Sequence, residues 1–223
     1  MPHPPHLVIA IDGPAGAGKS TVAKRLASAL GCTLLDTGAI YRTVALVARR
    51  RGVEWSDGPR VAEVARTLDI TFRLDGDRNS VLLGAEEVSD EIRTPDMSQG
   101  ASRVSALPEV RAALLELQRS FADRGPVVAE GRDIGTAVFP GARVKVFLVA
   151  DPQERACRRH RELLAAGHAA SREHVLAEQN ARDAADTQRA ASPLRPAEDA
   201  VIIDTSTMGI EEVVERILAL ARR

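Results

Sequence analysis

The stretch Gly13-Pro-Ala-Gly-Ala-Gly-Lys19-Ser20-Thr21 decides the fold, because it matches the phosphate-loop pattern G-x-x-x-x-G-K-[ST]. It follows Leu7-Val-Ile-Ala-Ile11, a short apolar run typical of a strand buried on both faces. A helical pattern from about 19 to 30 comes next. Glycines let main-chain amides approach phosphates closely, and a helix N-terminus favours negative charge. The pattern therefore predicts a nucleotide phosphate site between a buried strand and a helix.

Two side chains of this loop have specific expected roles. Lys19 is one of only three lysines in the chain, and we expect it to reach the β- and γ-phosphates, while Ser20 places its hydroxyl on Mg²⁺. A phosphate loop alone does not separate kinases from ATPases and switches. The residues assigned to the nucleotide are Gly13, Pro14, Ala15, Gly16, Ala17, Gly18, Lys19, Ser20 and Thr21.

Strand-like and helical patterns alternate along most of the chain, which indicates βαβ units and a parallel sheet flanked by helices. The predicted strands end near Leu35 and cover 126–129, 143–150 and 200–204. The predicted helices cover 39–51, 98–106, 109–124, 152–189 with a break near Gly167, and 210–222.

The middle of the chain has a different pattern. Residues 69–74 alternate polar and apolar side chains, Asp75-Gly-Asp77 is a turn signal, and 80–83 is strand-like again. This pattern predicts a β-hairpin. We expect a small antiparallel insertion from about 60 to 100.

The composition excludes several classes of partner. A net charge of −1 argues against a nucleic-acid coat or an anionic membrane as partner. No run approaches the roughly 20 apolar residues of a membrane span. His3 and His6 near the N-terminus are interpreted as solvated residues of a tail. We expect a cytoplasmic protein with reduced cysteines, and a monomer, because no stretch resembles a zipper or a large exposed apolar face.

Polar residues follow the second predicted strand, in Asp36-Thr37-Gly38-Ala-Ile-Tyr41-Arg42. Ligands of doubly wound sheets lie beyond the carboxyl ends of the strands. Thr37 could therefore offer a hydroxyl, and Arg42 a guanidinium, to the phosphate of an acceptor. A helix N-cap beside a solvated arginine explains the same spacing equally well.

A second polar stretch, Glu130-Gly-Arg132-Asp133-Ile-Gly135, follows the strand predicted at 127–129. Glu130 could orient Mg²⁺ through water, as acids at this position of phosphate-loop proteins do. Arg132 could neutralise a phosphate, and Asp133 could accept from a sugar hydroxyl or a base amino group. The alternative is a plain turn with an internal Arg132–Asp133 pair.

Arginines in the long helical region are ambiguous. Arg182, Asp186 and Arg189 have the spacing i, i+4, i+7, which predicts one helix face. A surface salt-bridge ladder is the simpler interpretation, and it applies equally to Arg155, Arg158 and Arg159 beside Glu154 and Glu162. Ser102 and Arg111 carry no signal on their own.

The chain as a whole resembles the bacterial cytidylate kinases. The resemblance rests on motifs in the order of that family and covers nearly the whole length. They are Ile11-Asp-Gly-Pro-Ala-Gly-Ala-Gly-Lys-Ser20, Leu35-Asp-Thr-Gly-Ala-Ile-Tyr-Arg42, Glu130-Gly-Arg-Asp-Ile-Gly-Thr136, Val138-Phe-Pro140, and Arg182-Asp183 with Asp186 and Arg189.

The resemblance implies an α/β phosphate-loop nucleoside monophosphate kinase fold in one kinase domain. Its core would be 7–58, 104–150 and 198–223, with an acceptor-binding lobe at about 59–103 and a short helical lid at about 152–190. It also implies roles for individual residues. Contacts with phosphate and the acceptor are implied for Thr37, Tyr41, Arg42, Arg132 and Arg189, and contacts with cytosine for Ser102, Arg111 and Asp133. Arg182 and Asp186 would lie near the acceptor phosphate and sugar, and Arg158 and Arg159 would be lid arginines.

The implied reaction moves the γ-phosphate of ATP to CMP or dCMP with Mg²⁺. Lys19, Arg132, Arg158, Arg159 and Arg182 would be its catalytic residues. Two alternatives stay open: a kinase for another small acceptor such as UMP, AMP or shikimate, and a nucleotide-dependent switch. The chain holds no Asn-Lys-x-Asp guanine-reading motif, which weighs against a GTPase switch.

Overall fold

A computed structural model describes residues 6–76, 78–165 and 167–222. His3 and Asp77 lie outside these residues. Eight strands occur in the described part of the chain: β1 (Val8–Asp12), β2 (Thr33–Asp36), β3 (Ile70–Asp75), β4 (Arg78–Leu83), β5 (Glu86–Glu87), β6 (Val127–Gly131), β7 (Val144–Val149) and β8 (Val201–Asp204). Its α-helices are α1 (Lys19–Leu30), α2 (Thr37–Arg50), α3 (Gly58–Arg66), α4 (Pro95–Ser105), α5 (Pro108–Asp123), α6 (Pro152–Ala165), α7 (Arg172–Gln188) and α8 (Ile210–Ala221).

The main sheet is parallel throughout and has the strand order β2-β6-β1-β7-β8. All five residues of β1 are buried. Val8 and Ala10 pack into one apolar cluster with α2 to α5, whereas Ile9 and Ile11 pack into a second cluster with α1 and α8. Both faces of the sheet are therefore covered by helices, as the continuous apolar run at β1 predicts.

The carboxyl ends of three strands meet at one edge of this sheet. The register sets Asp12 of β1 beside Gly131 of β6, and Asp36 of β2 beside Glu130 of β6. β6 runs two residues further than predicted, so Glu130 belongs to the strand and does not follow it. This edge holds the phosphate loop and the two polar stretches found in the sequence.

The predicted hairpin is confirmed as β3 and β4, and β5 adds a third antiparallel strand. Helix α3 has no counterpart among the predicted elements, because it is short and starts with glycine and proline. Its N-cap Asp57 accepts a hydrogen bond from Arg60 N, and Pro59 fits the first turn.

Trp55 contacts both α2 and α4. Its indole Nε1 donates to the carbonyl of Ala45 in α2 at 2.9 Å. A Cβ placed on Gly100 of α4 would lie 2.7 Å from the Trp55 ring. Glycine is therefore required where α4 crosses the indole.

The charged region that was predicted to be helical with a break near Gly167 is confirmed as α6 and α7. One detail differs: α7 ends at Gln188, and Arg189 has an extended conformation with φ −63° and ψ 140°. Arg189 therefore lies just beyond the helix and not on its face. No helix in the described residues is long and apolar enough to cross a membrane.

Candidate active site

One cleft of about 1220 Å³ contains almost all of the predicted site residues. Nine Arg and Lys side chains and six Asp and Glu side chains line it, so the cleft is cationic although the chain is not. Gly13 and Pro14 are not among its lining residues. The predicted residues that it does bring together are Ala15 to Thr21, Thr37, Tyr41, Arg42, Ser102, Arg111, Glu130, Arg132, Asp133, Arg158, Arg159, Arg182, Asp186 and Arg189.

The phosphate loop has the backbone that its glycines predict. Gly13, Gly16 and Gly18 have φ angles of 146°, 76° and 88°, a region that disfavours side chains. A Cβ on Gly13 would also overlap the carbonyl oxygen of Leu148. The loop therefore wraps tightly between β1 and α1.

Lys19 is buried, and its Nζ donates to the carbonyl of Pro14 at 2.6 Å. Burial lowers the pKa of Lys19, and the positive charge of Arg132 lowers it further. The ammonium group is thus short of negative partners. A phosphate group at this position would supply them.

Ser20 and Glu130 form the oxygen-rich part of the cleft. Ser20 Oγ donates to Glu130 Oε2 at 2.9 Å. Glu130 is 4% exposed, and burial raises its pKa, as does the nearby charge of Asp36. A hydroxyl and a carboxylate at hydrogen-bond distance suit a hard cation such as Mg²⁺.

The loop after β2 forms the helix N-cap that its spacing allows, and it borders the cleft. Asp36 caps α2 by accepting from Ala39 N at 2.8 Å, and it also accepts from Arg42 Nη2 at 3.0 Å. Helix α2 consequently begins at Thr37, two residues earlier than predicted. The Thr37 hydroxyl donates to the Glu130 carbonyl at 2.8 Å. Arg42 nevertheless lines the cleft.

The stretch after β6 does not form the internal Arg132–Asp133 pair. Arg132 Nε donates to Asp186 Oδ2 of α7 at 2.9 Å. Asp133 is buried and accepts a hydrogen bond from Arg111 of α5, and Arg189 Nη2 lies 3.5 Å from its other oxygen. Both side chains therefore contact distant elements that border the cleft.

The Tyr41 ring packs against Arg111, one of the charged side chains around Asp133. The Arg111 guanidinium carbon is 5.6 Å from the centroid of the Tyr41 ring, a cation–π distance. Burial raises the pKa of the Tyr41 hydroxyl. The neutral Tyr41 ring thus packs against the Arg111 guanidinium group.

Three arginines of the predicted lid region differ in their contacts: Arg182 on α7, expected near the acceptor phosphate, and the expected lid arginines Arg158 and Arg159 on α6. Burial and the charge of Arg132 lower the pKa of Arg182 to about 10, and its Nε has no hydrogen-bond partner. Arg158 donates to the carbonyl of Thr205 at 2.6 Å, on the loop after β8. Arg159 contacts Glu162 one turn along α6 at 3.1 Å. Arg182 is therefore the one of these three that lies among the acceptor-side arginines.

A sequence-family model described as "Cytidylate kinase" matches residues 9–223. The chain belongs to the cytidylate kinase family. This membership confirms the resemblance seen in the sequence, and the parallel sheet with a small antiparallel one agrees with the nucleoside monophosphate kinase fold expected from it.

Curated cytidylate kinases resemble the chain over most of its length. The relative from Pelotomaculum thermopropionicum is 50% identical and covers 95% of this chain and 94% of its own. The relative from Syntrophotalea carbinolica is 52% identical, with 95% and 90% covered. The relative from Carboxydothermus hydrogenoformans is 50% identical, with 96% and 97% covered.

Sequence reasoning missed a contact between helices α6 and α7 and the phosphate loop of this cytidylate kinase family member. Arg155 Nη1 donates to the Ala15 carbonyl at 2.9 Å and to Asp183 Oδ2 at 2.5 Å. Asp183 Oδ1 in turn accepts from Ala15 N at 3.3 Å. Arg155 is only 5% exposed. Its spacing from acids on α6 suggested a surface ladder, so only the tertiary structure reveals this contact.

Proposed function

We propose that this chain transfers the γ-phosphate of ATP to CMP or dCMP, giving ADP and CDP or dCDP. The observation that carries the proposal is the shared cleft, in which a phosphate loop faces arginines of α2, α5, α6, the α7 region and the stretch after β6. Such an arrangement suits two anionic substrates that must be brought together. Family membership supports the choice of cytidine nucleotides.

Lys19 and the loop amides would hold the β- and γ-phosphates of ATP. The lowered pKa of Lys19 reflects a site built for negative charge, and bound phosphate oxygens would restore the ammonium form. The attacking oxygen of the acceptor phosphate is already ionised, so no general base is required. Catalysis would then depend on alignment and charge neutralisation.

Ser20 and Glu130 would hold Mg²⁺, Ser20 directly and Glu130 directly or through water. When bound, Mg²⁺ would supply positive charge that neutralises part of the charge of the ATP phosphates. The raised pKa of Glu130 supports this assignment, because burial favours the neutral form of the carboxyl group and a bound cation would favour the charged form.

Four arginines would receive the acceptor phosphate: Arg42, Arg132, Arg182 and Arg189. Arg42 and Arg132 are held by Asp36 and Asp186, so their guanidinium groups are ordered before the phosphate arrives. Guanidinium groups suit this role because they bind phosphate oxygens in pairs.

The base would lie against Ser102, Arg111 and Asp133. The Asp133 carboxylate offers an acceptor for the exocyclic amino group of cytosine, and Arg111 offers donors to its ring acceptors. Uracil presents a carbonyl oxygen at the position of that amino group, so it would meet the carboxylate unfavourably.

Residues 59–103 would form the acceptor lobe, and 152–190 the lid. Arg158 and Arg159 would neutralise charge from the lid side, with lid closure excluding water so that ATP is not hydrolysed. The contact of Arg155 and Asp183 with Ala15 supports a lid that can lie on the phosphate loop.

We further propose that the enzyme acts as a monomer in the cytoplasm, where its nucleotide substrates occur. The cleft that contains almost all of the predicted site residues is formed within one chain, and this supports a monomer. Sedimentation equilibrium of the purified protein measures this directly.

A panel of acceptors tests the function. ADP formation is measured with ATP, Mg²⁺ and CMP, dCMP, UMP, AMP or shikimate in turn. We expect kcat/KM to be highest for CMP or dCMP. A higher value for another acceptor would replace the proposed substrate, and ATP consumption that no acceptor changes would favour a switch.

A further inference from the structure

Asp12 is the last residue of β1 and directly precedes the phosphate loop, yet the proposed function assigns nothing to its carboxylate. The side chain is 4% exposed. Oδ1 accepts from Ile134 N, and Oδ2 from Gly135 N, each at 2.8 Å. A buried carboxylate costs free energy unless it is well paired, and here its partners are two main-chain amides from a remote part of the sequence.

These two amides begin the turn that follows Arg132 and Asp133. β6 pairs with β1 as far as Gly131, which lies beside Asp12 in the register. The chain then leaves the sheet and is bonded to the Asp12 carboxylate through the amides one and two residues after Asp133. Contacts with β1 therefore fix the backbone at Gly131 and again at Ile134. Arg132 and Asp133 are the only residues between these two points.

The space around the turn leaves little freedom. A Cβ placed on Gly135 would lie 3.4 Å from Asp12 Oδ2 and 3.3 Å from Cδ of Lys145 on β7. The turn is therefore packed between side chains of β1 and β7. Movement of the turn away from β1 would break the hydrogen bonds to Asp12.

We propose that Asp12 is a positioning residue for the acceptor, which holds the turn so that Arg132 and Asp133 meet the phosphate and the base of CMP. The inference rests on the proposed function. Asp12 acts through main-chain amides and does not touch the substrate. Asp12 also directly precedes the phosphate loop. It therefore fixes the position of Arg132 and Asp133 relative to the loop that would bind ATP.

Asp12→Asn tests the proposal, since the amide keeps the shape of the side chain but has one acceptor oxygen in place of two. One amide of the turn then faces an NH₂ group. We expect KM for CMP to rise by about tenfold or more, the result of losing roughly 1–3 kcal/mol of hydrogen bonding, with KM for ATP changed less than about twofold.

The split between the two KM values separates this role from others. The Asp12 charge also favours the ammonium form of Lys19, so an action through Lys19 would raise KM for ATP and leave KM for CMP unchanged, which overturns the proposal. Equal rises in both values, as in general loss of structure, also overturn it. Asp57→Asn, which removes a capping carboxylate outside the cleft, is the matched control.

The wild-type protein gives a second measurement that needs no variant. Amide exchange of Ile134 and Gly135 is followed by NMR without substrate. Slow exchange supports a turn ordered by Asp12, whereas fast exchange that slows only after CMP is added would mean that the substrate orders it, against the proposal. Wild-type protein that fails to phosphorylate CMP would instead contradict the proposed function, whatever the amides do.

Discussion

Ser20 and Glu130 are 110 residues apart in sequence and form a hydrogen bond of 2.9 Å at the cleft. Ser20 is the second residue of α1, and Glu130 lies near the end of β6, the strand next to β1. The pairing of these two parallel strands thus determines the distance between the hydroxyl and the carboxylate. The strand pairing would therefore set the geometry of a metal site formed by Ser20 and Glu130.

Glu130→Gln should raise the Mg²⁺ concentration required for half-maximal activity by about tenfold or more, because the amide lacks the charge that attracts a hard cation. The measurement is a magnesium titration of CMP phosphorylation at fixed ATP. Glu63→Gln, an exposed change on α3, is the control. An unchanged magnesium requirement would remove Glu130 from the metal site.

Lys19→Ala should lower kcat by orders of magnitude with little change in fold, since the lysine is the cation of the phosphate loop. The coupled assay measures turnover, and circular dichroism monitors folding. Lys24→Ala changes a lysine of the same helix outside the cleft and should retain activity. Near-full activity of a folded Lys19→Ala protein would show that the loop has another role.

Asp133→Asn should reduce the preference for CMP over UMP, measured as the ratio of their kcat/KM values, by about tenfold or more. The carboxylate would no longer attract the cytosine amino group or disfavour the uracil carbonyl. Asp123→Asn at the end of α5 is the control. If the ratio stays at the wild-type value, another group discriminates between the bases.

Asp183→Asn should loosen the lid in the absence of nucleotide, because it removes the charge that pairs with Arg155 and weakens the bond from Ala15 N. Hydrogen exchange of residues 172–188 should become faster. Glu178→Gln on the same helix provides the comparison. Exchange rates that match in the two variants would mean that this contact does not hold the lid.

The stability of the protein should report the buried charge of Asp12. Burial raises its pKa from 3.8 to about 6, and the charge of Asp133 adds to the rise, while the amides of Gly135 and Ile134 and the charge of Lys19 oppose it. Between these pH values the folded protein binds more protons than the unfolded chain. The contribution of Asp12 is therefore complete below pH 4 and is lost as the pH rises through 6.

The comparison with Asp12→Asn isolates this group. The wild-type free energy of unfolding minus that of the variant should fall by about 3 kcal/mol from pH 4 to pH 7. Urea denaturation at both pH values measures it. A constant difference would indicate that Asp12 has the same pKa in the folded and unfolded protein.

Local sequence signals were sufficient for elements with clear boundaries. Helix α1 was predicted at both ends, because glycines in the left-handed region stand on either side of it at Gly18 and Gly31. The nine-residue α3 was missed, since its glycine and proline residues suggest a loop. Arg189 was placed on a helix face because its spacing continues that of α7, but the backbone turns away one residue earlier.

The partners of the charged site residues could not be predicted in this way. The spacing of Arg182, Asp186 and Arg189 suggests local pairs, and Arg189 Nη1 does lie 3.8 Å from Asp186 Oδ1. The other oxygen of Asp186, however, accepts from Arg132, 54 residues away. Asp133 likewise pairs with Arg111 of α5 and not with its neighbour. Such choices depend on how strands and helices pack. The family motifs predicted which residues belong to the site, and the tertiary structure supplied their contacts.

Trp55 is the single tryptophan of the chain, and its indole lies where α2 meets α4. α2 carries Arg42, and α4 carries Ser102, which are expected to contact opposite ends of the acceptor nucleotide. Tryptophan fluorescence is sensitive to such surroundings, so the protein contains an intrinsic optical probe between the two helices. Acceptor binding can be followed in real time without attaching a dye.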